Sequence, residues 1–190
     1  MILKKKLDMR EIYDILLPIA KNIAKSKEGA LFIVGSKHKL KRKYELMFPQ
    51  LVRNYQLTEP GIEKVLVKLA TLDGAVVISD AGEILAYGAK LKKSKPLKGF
   101  GTKHAAASGT THQVPDSTAI LVSEESNWVK VLKGGEIILE MNGEEYPKAV
   151  DQKVLSFLID KDTALLTDIN VSVSKFPKIR RRLPVETPVD

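Results

Sequence analysis

Six short apolar-rich runs, each four to six residues long, constrain this chain more than any other feature of it. Ala30-Leu31-Phe32-Ile33-Val34, Ala75-Val76-Val77-Ile78 and Ile84-Leu85-Ala86-Tyr87 come first, followed by Thr118–Ser123, Trp128–Leu132 and Glu136–Met141. Runs of this length bounded by Gly, Asp and Asn read as strands, and a continuous apolar run reads as a strand buried on both faces. Two other segments keep a helical period. Met9, Ile12, Leu16, Ile19 and Ile23 recur at steps of three and four, and Asp8 with Glu11 has capping-box spacing. A helix is therefore expected over Asp8–Lys25, kinked at Pro18 and ended by Gly29. A second is expected from a Thr58 cap, with Glu59, Pro60 and Glu63 in its first turn and Ile62, Val65, Leu66 and Leu69 as its buried stripe. Strands interleaved with helices make this an α/β chain.

The connections carry signals of their own. Ser79-Asp80-Ala81-Gly82-Glu83 reads as a hairpin turn with Gly where positive φ is needed, and the two gaps after Ser123 and Leu132 are hairpin-sized. Pro49 interrupts Tyr44–Tyr55, which reads as loop with at most a helical turn. From Lys90 to Lys103 there are six lysines and no acid, and Pro96, Gly99 and Gly101 exclude regular structure from the second half. A short helix is expected over Val150–Ile159, then an extended tail over Phe176–Asp190 that carries Arg180-Arg181-Arg182. One core suits a chain of 190 residues. The expected division is a domain over 1–142 and an appendage over 143–190 made of a short helix, a strand and a basic tail.

Composition narrows the function. The 31 Lys and Arg against 23 Asp and Glu leave a charge of +8, which favours an anionic partner. The absence of Cys excludes disulfides, thiolate zinc sites and cysteine nucleophiles. Met1-Ile2-Leu3 runs into Lys4-Lys5-Lys6, and no apolar run approaches the roughly 18 residues of a membrane span, so a cytoplasmic protein with no membrane partner is expected. Gly99-Phe100-Gly101-Thr102-Lys103 lacks P-loop spacing, and His104 stands where a dinucleotide fingerprint needs its third Gly.

Three junctions remain. Asp73-Gly74-Ala75 lies where a helix hands over to a strand, Gly101-Thr102-Lys103-His104 where the basic loop enters Ala105-Ala106-Ala107, and Ser123-Glu124-Glu125 at the end of a strand. Each alone has an ordinary reading as a turn, a cap or a solvated loop. Together they offer two carboxylate sources, an imidazole and a helix start whose free N–H groups and dipole suit phosphate.

Leu72-Asp73-Gly74-Ala75, Gly88-Ala89-Lys90-Leu91, Gly101-Thr102-Lys103-His104-Ala105-Ala106-Ala107 and Val122-Ser123-Glu124, in this order, resemble the diadenylate cyclase (DAC) domain family, and its archaeal branch most. The resemblance runs from Gly29 to Glu140. It implies a central mixed β-sheet surrounded by helices and the synthesis of cyclic di-AMP from two ATP. It also implies the residue roles. Asp73 and His104 would be catalytic; Gly74, Ala75, Leu91, Gly101, Thr102, Lys103, His104 and Ser123 would bind ATP; Asp73 and Glu124 would hold Mn²⁺ or Mg²⁺. A homodimer, transient or stable, would be needed, since one pocket presents one 3′-hydroxyl and one α-phosphate. The family motif commonly has Arg where Lys103 stands, a planar fork replaced by a point charge. That exchange makes a catalytically silent ATP or cyclic di-AMP sensor the alternative. A basic nucleic-acid-binding protein ranks third, because only 6% of the residues are aromatic and able to stack on bases.

Overall fold

The computed structural model describes residues 6–142, 158–159 and 171–172. All six apolar-rich runs are strands: β1 (Ala30–Gly35), β3 (Ala75–Ser79), β4 (Ile84–Leu91), β5 (Thr118–Val122), β6 (Trp128–Lys133) and β7 (Glu136–Asn142). With β2 (Tyr44–Leu46) and β8 (Val171–Ser172) they form one sheet of order β2-β4-β3-β1-β5-β6-β7-β8. β1 and β3 run parallel; every other neighbouring pair is antiparallel, so the sheet is mixed.

Helices cover both faces. Alternate residues of the central strands enter two separate cores: Phe32, Val34, Val76, Ile78, Ile120 and Val122 in one, Leu31, Ile33, Ala75, Val77, Ala119 and Leu121 in the other. Burial on both sides is why these strands are apolar without alternation. The first core is closed by α1 (Met9–Lys25) and α3 (Ile62–Ala70), the second by α2 (Lys37–Leu40) and α4 (Thr102–Gln113). At the start of α1, Asp8 Oδ1 accepts from Glu11 N and Glu11 Oε2 accepts from Asp8 N, the capping box expected there. Tyr13 ties α1 to the sheet through a 2.7 Å hydrogen bond with Thr118 Oγ1, both groups being buried.

Several expected boundaries move. α1 ends at Lys25 as expected, but Gly29 is not what closes it: Lys27 takes the left-handed position at φ 57°, its N–H bonds Ala24 O, and Glu28 N–H bonds Ile23 O, a Schellman closure. Pro18 lies on the exposed face of α1, which continues through it. The second helix starts at Ile62 after Gly61, not at a Thr58 cap. Leu57 is buried and its N–H bonds Gly82 O, so residues 58–61 must first turn away from that anchor. Tyr44–Leu46, expected as loop, is an edge strand on β4; three residues are too few to show a period. β4 itself runs four residues past Tyr87, which takes Lys90 out of the expected loop. The hairpin Gly82 has φ 80°, as its turn requires. Of the helix expected over Val150–Ile159, only Leu158 and Ile159 are described, and they are helical; the Phe176–Asp190 tail lies outside the described residues. Among the described residues no helix is long and apolar enough to cross a membrane.

Removing the Tyr13 hydroxyl strands a buried Thr118 hydroxyl. Tyr13→Phe should lower unfolding free energy by about 1–2 kcal/mol, read as a lower denaturant midpoint at unchanged slope.

Candidate active site

Strand direction alone brings the three junctions together. β1 and β3 begin at the same edge of the sheet, and the antiparallel β4 and β5 end there: Ala30 pairs with Val122 and Ala75 with Ala89. Asp73-Gly74 precedes β3, Leu91 closes β4, and Ser123-Glu124 follows β5, so all of them meet at that edge. The first turn of α4 adds Thr102, Lys103 and His104.

The site is a pair of adjoining clefts that share Thr102 and Lys103. One, of about 310 Å³, is lined by Leu31, Met47, Asp73, Gly74, Ala75, Ala89, Lys90, Leu91 and Ala106 beside those two. The other, of about 390 Å³, is lined by Gly99, Phe100, Gly101, His104, Ser123, Glu124, Glu125 and Lys130 among others. All ten residues singled out in the sequence therefore face one cleft or the other. Their volumes lie within the range of small-molecule sites.

Backbone geometry at the first cleft is tight. Gly74 has φ 93°, and a methyl group built on it would lie 2.7 Å from Met47 Cε and 2.8 Å from Ala89 N. No side chain fits there. Asp73 is exposed, and its Oδ1 accepts from Gly74 N at 2.8 Å, which turns the carboxylate back over the strand start.

α4 begins at Gly101, an N-cap without a side-chain acceptor, so the N–H groups of its first turn have no cap to satisfy them. Its position is set from two sides. Ser108 Oγ donates to Gly135 O at 2.6 Å and Gly135 N donates to Thr111 Oγ1 at 3.1 Å, tying α4 to the β6–β7 turn. On the other side Lys95 N–H bonds Ala105 O, and a methyl group on Gly109 would lie 2.6 Å from Lys93 O, so the basic loop lies directly on the helix.

Three residues the sequence reading missed belong to this site. Gly29, freed from any capping role, sits under the functional side chains: a methyl group there would lie 3.0 Å from Lys103 Nζ and 3.3 Å from Glu124 Cβ. Its only sequence signal is a Gly just before a buried strand. Lys130 and Phe100 flank His104, and nothing local marks either one. Phe100 and His104 have ring centroids 4.6 Å apart, and His104 Nε2 is buried with no partner among the described residues. Burial pushes the His104 imidazole down to about 4; the Lys130 ammonium adds to the drop and Glu140 opposes it. With no ligand beside it, the ring is therefore neutral at pH 7.

Asp73 and Glu124 belong to no group of three or more potential metal-ligating His, Cys, Asp or Glu residues among the described residues. One or two carboxylates completed by substrate phosphates is the usual protein share of a Mg²⁺ site, so these residues fit a divalent cation that arrives with a nucleotide.

An uncapped helix start between an exposed carboxylate and an unpartnered imidazole, beside an apolar-walled cleft, gives this α/β domain a site suited to a small anionic molecule. Comparison with known proteins narrows the class. Residues 19–137 match the family model described as DAC, DisA bacterial checkpoint controller nucleotide-binding. A diadenylate cyclase of Haloferax volcanii is 32% identical over 145 residues, covering 73% of this chain and 54% of its own length; one of Methanocaldococcus jannaschii is 24% identical, covering 72% and 46%. The chain spans about half the length of these curated relatives. An engineered double mutant of DacA from Staphylococcus aureus shares the fold at TM-score 0.56 and 20% identity, over 77% of this chain and 93% of that one. This chain belongs to the diadenylate cyclase (DAC) domain family.

The depressed His104 pKa carries a stability consequence with a definite sign. In the unfolded chain His104 titrates near 6.5, so acid protonates the unfolded state first and stability falls as pH drops from about 6.5 towards 4. His104→Gln should remove this contribution. The loss of unfolding free energy between pH 7 and pH 5 should be smaller in the variant by about 2 kcal/mol, read by denaturant titration at each pH.

Proposed function

We propose that this chain is a diadenylate cyclase that condenses two ATP into cyclic di-AMP and two pyrophosphates. The observation that carries the reading is the pair of clefts joined at Thr102 and Lys103, with Asp73 on one side and His104, Ser123 and Glu124 on the other. Adenine and ribose suit the first cleft, against Leu91 and Ala75. The phosphates suit the amides at the start of α4, the Lys103 ammonium and the Ser123 hydroxyl.

In each half-reaction a ribose 3′-oxygen bonds to the α-phosphorus of the facing ATP. The bond from that phosphorus to the bridging oxygen breaks, pyrophosphate leaves with the electron pair, and the 3′-hydroxyl proton passes to the Asp73 carboxylate. His104 donates a hydrogen bond to a phosphate oxygen. Lys103 neutralises charge without the bidentate grip of an arginine. Mn²⁺ or Mg²⁺ held by Asp73 and Glu124 would supply electrostatic stabilisation of the phosphate charge. Two copies about a two-fold axis set each hydroxyl against the other's phosphorus, so a homodimer is the working unit. ATP as substrate favours the cytoplasm. The same residues would serve a silent ATP or cyclic di-AMP sensor, the alternative that the Lys103 exchange raises.

Purified chain given ATP with Mn²⁺ or Mg²⁺ should release pyrophosphate and yield cyclic di-AMP by mass detection. ATP binding without pyrophosphate would establish the sensor instead. Asp73→Asn should abolish synthesis while ATP affinity stays within about tenfold, roughly 1.4 kcal/mol. An equal mixture of parent and Asp73→Asn should keep about a quarter of the parent's ring-closing activity, since only parent pairs complete both bonds. Retention of half would contradict the two-subunit mechanism.

A further inference from the structure

At the start of α4, four side chains form a chain of contacts. The Phe100 and His104 ring centroids lie 4.6 Å apart with the planes tilted by 32°. Lys130 Nζ, from β6, lies 4.3 Å from the Phe100 centroid, and it also donates to Glu140 Oε1 on β7 at 2.9 Å. Lys130 and Glu140 are register partners across the two strands. The Lys130 side chain is 9% exposed, between fully buried Val129 and Val131. An ammonium placed there must give up most of its hydration, a cost that one carboxylate and one aromatic face only partly return. Packing alone would be served better by an apolar residue.

The location suggests what the charge does. Phe100 immediately precedes Gly101, the N-cap that has no side chain to fix the entry angle of α4. Phe100 is 40% exposed, so burial does not hold its ring firmly. Among the described residues its backbone is tied by the Phe100 N–H bond to Leu97 O in the preceding turn. Contact with both the Lys130 ammonium and the His104 imidazole gives the ring a defined place next to Gly101. Lys130 also lines the phosphate-side cleft together with Gly101, Thr102 and Ser123.

We propose that Lys130 is a positioning residue of the phosphate cleft: anchored by Glu140, it pins the Phe100 ring against His104 and so orients the first amides of α4 for nucleotide phosphate. Lys130 acts through Phe100 and makes no bond in the reaction. The inference rests on the cyclase reading for the identity of the ligand, but the chain of contacts itself does not.

The test pairs ATP titration calorimetry with the His104 ring signals in the NMR spectrum, assigned by their loss in His104→Gln. Lys130→Met keeps the aliphatic stem, and a Lys130→Met/Glu140→Gln double variant avoids a buried unpaired carboxylate. Both should weaken ATP binding by about tenfold or more and shift the His104 resonances, with the double variant melting near the parent temperature. Lys130→Arg, which can stack on Phe100 and still reach Glu140, should restore binding to within about threefold. ATP binding equal to the parent's in both Met variants would overturn the proposal. So would weakened binding that Arg does not restore, with melting lowered in step, because that marks a merely structural lysine. If the parent itself binds no ATP, the cyclase reading fails, and unshifted His104 resonances in Lys130→Met would separately overturn the chain of contacts.

Discussion

Strand β1 has no face left for water, and the rest of the molecule follows from that. Phe32 and Val34 enter one core, Leu31 and Ile33 the other, and all four are essentially fully buried. A strand in this position needs hydrogen-bonding neighbours along both edges and helices over both faces. β3 and β5 supply the edges, α1 with α3 one cover, and α2 with α4 the other. Because β3 runs parallel to β1 while β4 and β5 oppose it, the segments before β1 and β3 and those after β4 and β5 converge on one edge. The site is the consequence of that convergence. It also explains an unusual placement: open α/β sheets commonly bind ligands at the carboxyl ends of parallel strands, whereas here the amino ends of β1 and β3 face the clefts.

The functional groups are held by short-range geometry rather than by ion pairs. Gly74 allows its strand to pass against the backbone of Ala89, which seats Asp73 at the rim. Gly29 leaves room for the tips of Lys103 and Glu124, so a cation and an anion from different elements stand over the same point of the β1 entry. α4 contributes its amides because Gly101 leaves them uncapped, and the basic loop and the β6–β7 turn grip its two sides. One layer deeper the exception is the Lys130–Glu140 ion pair at 2.9 Å, which sets a charge beside Phe100.

Much of this was legible from residues alone, for identifiable reasons. The central strands announced themselves because double-sided burial leaves a continuous apolar run, and α1 did so because its capping box and its period agree. That ten residues far apart in the chain line two adjoining clefts was foreshadowed by the order of short motifs; no single motif would have sufficed. What stayed hidden depends on tertiary context. The edge strand β2 is too short for a pattern, α3 starts late because Leu57 is anchored under Gly82, and α1 closes on a left-handed Lys27 where a Gly was the natural expectation. Lys130 and Phe100 were invisible for the same reason, since a lysine in a strand and a Phe in a glycine-rich loop gain meaning only when β6 and α4 are seen to pack.

The central claim is that one nucleotide spans both clefts across Thr102 and Lys103, with its reactive hydroxyl position at Asp73. A crystal structure of the chain with 3′-deoxy-ATP, which keeps the base and phosphates but lacks the nucleophile, tests it most directly. The account predicts the ribose 3′-carbon beside the Asp73 carboxylate, the phosphates on the amides of Thr102 and Lys103, and His104 Nε2 within hydrogen-bonding distance of a phosphate oxygen. Phosphates bound instead along Lys92–Lys98, with Asp73 and His104 untouched, would contradict it.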